Sequence, residues 1–149
     1  MKRVLLCLLA VCLAGCQKKV TSAGDNTKTA QSTALSDYMA SVKGQSDAIK
    51  ASLEKDALTQ TDMNLKSQEL RDLWDAALNR MLEESKKALS KAEADKLTAD
   101  QNAWAEATAK AAENAGNEVA GGSLQALTVN SEVAKLTEAR VYELYGRLK

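Results

Sequence analysis

Apolar positions along this chain follow three regimes. From Val4 to Leu13 they form an almost unbroken run behind Lys2 and Arg3. From Gln17 to Ala34 they nearly vanish: "QKKVTSAGDNTKTAQSTA" holds one large apolar residue, Val20. From Leu35 onward they return at spacings of three and four, the period of a helix with one buried face. The first such segment carries Leu35, Tyr38, Met39, Val42, Ile49 and Leu53, with Gly44 as a weak point. The second, from about Thr61 to Leu89, carries Met63, Leu70, Trp74, Leu78, Met81, Leu82 and Leu89. A third begins at Ser90, where Ser90 and Glu93 fit a capping box. It continues through Leu97, Gln101, Trp104, Thr108 and Ala111 and is expected to stop before Gly116. After "NEVAGGS" a fourth runs from about Leu124 to Leu148, with Leu127, Val133, Leu136, Val141, Leu144 and Tyr145 as core positions. There is no proline, and Ala, Leu, Lys and Glu dominate, so propensity agrees with periodicity. The expected fold is all-α, a small antiparallel bundle of three to four helices.

The opening run is too short to cross a bilayer, which takes about 20 apolar residues. A basic start, a short apolar stretch and a small-residue exit predict a secretory signal peptide over residues 1–15. Its exit, Leu13-Ala14-Gly15-Cys16, looks like the lipobox of bacterial lipoproteins. That resemblance implies that Cys16 becomes the lipidated first residue of the mature chain. The plainer reading, a third leader cysteine beside Cys7 and Cys12, does not account for its place where "QKK" begins. By the same resemblance Gln17, in place of an Asp, points to the outer membrane. The anchor makes the bilayer itself a partner, since two or more acyl chains give stable attachment. Residues 16–34 are too polar to order themselves and read as a flexible tether holding the domain, residues 35–149, on the order of 20–25 Å away.

Charge and composition narrow the chemistry. Acidic and basic residues balance at 20 each, and histidine is absent. No basic, aromatic-bearing footprint for nucleic acid is present. Without histidine, and with no cysteine after Cys16, the usual general base and the soft metal ligands are missing. Carboxylates such as Glu83/Glu84 and Glu93/Asp95 read as a solvated face, and Gly121-Gly122 reads as a turn. The expectation is a non-enzyme with no catalytic residue, no cofactor and no metal.

The stretch "TQTDMNLKSQELRDLWDAALNRML", followed by "QNAW", "GGS" and "LTEARVYEL", resembles the LprI-like lysozyme-inhibitor family over about residues 58–149. The matching positions are Asn64, then Asp75, Leu78 and Asn79 on the same helix. Gln101 and Trp104 follow, then Gly121, Gly122 and Ser123, and finally Leu136, Thr137 and Arg140. Lys66 and Glu132 stand where the family has cysteines, no cysteine follows Trp104, and Ala107-Thr108 replaces its "YR". One alternative is that Lys66 and Glu132 form an ion pair across the former bridge. The resemblance implies a lysozyme as partner, bound at its substrate cleft. The rival is a structural or adaptor lipoprotein of the envelope.

Two readings apply to the motif residues. Asp75 and Asn79, one turn apart, hydrogen-bond a neighbouring helix, with Arg140 paired to Asp75, or they line a contact surface. Trp104 is core, or an interface anchor of the kind tryptophan favours. From Leu53 to Glu84 there are eight acids against four bases. Glu69, Asp72, Glu83 and Glu84 are therefore the candidate contacts for a basic enzyme.

Overall fold

The computed structural model describes residues 23–55 and 58–149, with side chains from residue 29. The leader, Cys16 and the first part of the tether lie outside the described residues. Among the described residues four helices follow one another: α1 (Ala23–Leu53), α2 (Gln60–Ala88), α3 (Lys91–Asn117) and α4 (Gln125–Arg147). No strand occurs among the described residues, and the protein is an all-α bundle.

Local sequence sets the starts of α2 and α3. Ser90 Oγ accepts from the Glu93 N–H while the Glu93 carboxylate accepts from the Ser90 N–H, the reciprocal arrangement expected there. A second box, absent from the sequence reading, starts α2: Thr59 and Asp62 exchange the same two bonds at 3.1 and 3.2 Å. Aspartate takes the role usually given to glutamate, which hides the pattern.

Two boundaries differ from expectation. Residues 23–34 are helical rather than tether. Leu35, Met39 and Val42 are buried against the rest of the core. Once that stripe is docked the helix has its nucleus, and each further residue adds a hydrogen bond at small cost. Thr33 Oγ1 donates to the Thr29 carbonyl, and Gln31 Nε2 reaches Glu84 at 2.8 Å. Helix α3 does not stop before Gly116 but passes through it to Asn117. A Cβ at Gly116 would stand 2.8 Å from Val129 Cγ2, so this glycine serves close helix approach. The chain turns instead at Gly121, whose φ of 73° suits glycine.

Consecutive helices run antiparallel, yet the most extensive contact joins α2 to α4, which run parallel. Helix α1 lies against α2, and α3 against α4 with only slight contact to α2. The spatial order is thus α1, α2, α4, α3. Trp74 is fully buried where three helices meet. Its indole N–H donates to Ser46 Oγ of α1 at 3.2 Å, and its ring lies 5.8 Å from that of Tyr142 on α4. Met81, Ala77, Val141 and Leu144 complete the closed centre. Helix α1 is therefore part of the bundle, tied further by Lys50 to Glu138 of α4 at 2.6 Å and by Arg80 over the Tyr38 ring.

Candidate functional site

Motif residues separated by some forty positions converge on one seam between α3 and α4. Arg140 is only 5% exposed, and its guanidinium makes three side-chain bonds. Nε donates to Gln101 Oε1 at 3.2 Å, NH2 to Asp100 at 2.6 Å and NH1 to Glu143 at 2.8 Å. Glu143 in turn pairs with Arg147. Burial works against the charge on Arg140, but the bonds it donates to Asp100 and Glu143 outweigh it, so the guanidinium is held charged. Asp100 is correspondingly pushed below the ordinary carboxylate range by the Arg140 hydrogen bond. Planar guanidinium with several fixed donors suits such a clamp better than lysine.

The expected Arg140–Asp75 pair does not form. Asp75 sits on α2 beside Arg71 of the same helix, 3.6 Å away, whereas Arg140 points into the α3 seam. Partial burial raises the Asp75 pKa, with Arg71 opposing the shift and Asp72 adding to it. Asn79 is exposed on the outer face of α2, and neither it nor Asp75 bonds a neighbouring helix among the described residues. Leu78 is core. Lys66 and Glu132 do not pair either: Lys66 takes Glu69 at 2.6 Å and Glu132 takes Lys135 at 2.9 Å. Partners one turn away on the same helix outcompete a cross-bundle ion pair that would cost side-chain entropy.

Asn64 belongs to a second polar cluster, between α2 and α4. Its side-chain carbonyl accepts from Gln60, and its backbone carbonyl accepts from Ser67 Oγ at 2.8 Å. Asn130 then joins in, donating to Ser67 Oγ at 3.3 Å and accepting from Arg71 at 3.5 Å. Ser67 and Asn130 were not singled out from sequence; their only signal was small polar residues interrupting apolar stripes. Thr137 is fully buried and its hydroxyl has no partner among the described residues. Trp104 packs at the edge of the core, half-buried. Gly121 and Gly122 form the exposed turn before α4, where the Gly122 N–H donates to the Val119 carbonyl.

The acidic candidates divide. Glu69, Asp72 and Glu83 lie with Leu65 and Asn79 on the exposed face of α2, Leu65 being 55% exposed. Glu84 does not: it turns toward α1, bonded to Lys87 and Gln31, with its side chain 16% exposed. Lys66 neutralises Glu69, while Asp72 and Glu83 have no ion-pair partner among the described residues. The acid excess of this segment is thus smaller at the surface than in the sequence. No group of three or more His, Cys, Asp or Glu side chains that could hold a metal occurs among the described residues. The seam and the Asn64 cluster fix helices, whereas the outer face of α2 is exposed.

A family model described as "Lysozyme inhibitor LprI" matches residues 51–144, well over half of the chain. Neither a curated protein nor a solved structure matches it. The matched region takes in the last turn of α1, all of α2 and α3, and most of α4. It contains both polar clusters, from Asn64 to Arg140, and leaves nearly the whole of α1 outside. On that match, the chain belongs to the lysozyme inhibitor LprI family.

Proposed function

We propose that the protein is a non-enzymatic inhibitor that binds a lysozyme and obstructs its substrate cleft. The family match over residues 51–144 carries this reading. The outer face of α2 supports it with exposed Asp72, Glu83 and Leu65, since common lysozymes are basic and oppositely charged surfaces speed encounter. The test is lysis of bacterial cell walls by animal-type and goose-type lysozymes in the presence of the purified chain. Inhibition by a small molar excess is expected. None at micromolar excess overturns the reading and leaves an adaptor of the envelope.

The contact face has its own test. Reversing Asp72 and Glu83 to lysine should weaken inhibition without lowering Tm, because both side chains are exposed. Raising salt from about 0.05 to 0.5 M, which shortens the Debye length to below about 5 Å, should slow association. Inhibition unchanged by both moves the contact away from α2.

The same proposal places the protein in the cell envelope, anchored through lipid on Cys16 and facing the periplasm from the outer membrane. The leader pattern supports this, and no described helix is long and apolar enough to cross a membrane. Cys16→Ser offers no thiolate for alkylation and should leave an uncleaved or unlipidated precursor, seen as a changed mass and a changed detergent partitioning. Unchanged partitioning and mature mass would remove the anchor.

A further inference from the structure

A groove opens at one end of the bundle, where α2 and α4 finish, α3 starts and α1 arrives. One part, about 460 Å³, is floored by Leu89, Leu97, Leu144 and Leu148. A second, about 710 Å³, shares Ala88 and Leu148 with it and reaches Leu35 and Gln31 of α1. The floor of the first part is aliphatic, whereas the second is lined mostly by polar side chains, among them Gln31, Ser32, Thr33, Lys87 and Lys149. The acids of the rim are already engaged: Glu93 closes the capping box with Ser90, Asp100 holds Arg140, and Glu84 bonds Lys87 and Gln31. Arg147 is taken by Glu143. Of the lining cations Lys96 has no ion-pair partner among the described residues, but the four leucines offer an alkyl chain burial without breaking any of these bonds.

We propose that this groove seats an acyl chain of the protein's own anchor at Cys16, an inference that rests on the lipid-anchored reading above. Chain length permits it. Seven Cα-to-Cα steps separate Cys16 from Ala23, a reach of at most about 25 Å. From Ala23 to Gln31 at the groove's edge, α1 rises about 12 Å, so the anchor can fold back to the same end. An alkyl chain held there is shielded from water before the protein meets a bilayer.

The experiment uses the lipidated full chain from bacteria fed a photoreactive fatty acid, illuminated after purification, with mass mapping of the cross-links. The expected result is intramolecular links from the Cys16 lipid to Leu97, Leu144 or Leu148, lost in Leu148→Lys. The exposed Leu89→Lys, which leaves the core alone, should weaken them too if Leu148→Lys fails to fold. Links to phospholipid alone, or links unaffected by both variants, overturn the proposal. A Cys16→Ser chain labelled in the groove by the free photoreactive fatty acid, with no link in the lipidated protein, assigns the groove to free lipid and also overturns it. A mature chain whose mass shows no acyl group removes the anchor itself, a failure that mass alone tells apart from an empty groove.

Discussion

Trp74 and Trp104 share a side chain but not an environment. Trp74 is sealed among three helices with its N–H bonded to Ser46, so Trp74→Ala should cost about 3–5 kcal/mol in denaturant unfolding. Trp104 loses less area to the core, and Trp104→Ala should cost roughly 1–2 kcal/mol; equal losses would contradict the half-buried placement. Thr137 gives the opposite sign. Its hydroxyl is buried with no partner among the described residues, a state that costs about 1–3 kcal/mol of lost hydration. Thr137→Val keeps the shape, removes the orphan and should raise Tm; a fall would reveal a bond donated by that hydroxyl. At this scale the sequence named the motif residues without naming their partners. Arg140 and Gln101 were both visible as motif positions, but nothing in their spacing says that they touch. That depends on α3 lying against α4, which is a tertiary fact.

Elements were far more legible, because a helical stripe repeats within a few residues and needs no knowledge of its partner. Leu70, Trp74, Leu78 and Met81 read as one face and are one face. What escaped were features that depend on docking or on unusual residues: the start of α1 at Ala23, the Thr59–Asp62 box, and the run of α3 through Gly116. Two glycines make the distinction measurable. At Gly44, on the outside of α1, a Cβ meets nothing within 4 Å, so Gly44→Ala should stabilise by about 0.5–1 kcal/mol. At Gly116 the same methyl collides with Val129, and Gly116→Ala should destabilise by about 1–3 kcal/mol as α3 and α4 are forced apart. Thermal unfolding of the two variants tests both signs, and a gain at Gly116 would mean that α3 and α4 are not closely packed there.

For the molecule as a whole, acid is the informative variable. Asp100, Glu84, Asp62 and Glu93 all titrate below ordinary carboxylates. They are held there by hydrogen bonds from Arg140, from Lys87 and Gln31, from Thr59, and from Ser90. A depressed folded-state value contributes stability that is in place above the unfolded-state pKa of about 4 and is lost as pH falls through the lower folded value. Asp75 has the reverse sign, because burial raises its pKa: its contribution is present at low pH and is lost as pH rises through the raised value. Four groups outnumber one, so Tm should fall on acidification below about pH 4. Asp100→Asn should flatten part of that slope, and a Tm independent of pH in this window would contradict the Arg140 clamp.

The spatial order of the helices also decides how the protein answers a pull. A load applied at the N-terminal side enters through α1, the outermost layer on that flank, which rests on α2 from Gln31 to Ser46. The pair is antiparallel, so traction on the start of α1 peels it turn by turn, first parting Gln31 from Glu84, later Ser46 from Trp74, and last Lys50 from Glu138. Once α1 has come away, the α2–α4–α3 unit, which holds most of the family-matched region, keeps its own contacts. Helix α1 is in that sense a mechanical fuse, and the wetting of Trp74 is the optical signal that it has blown.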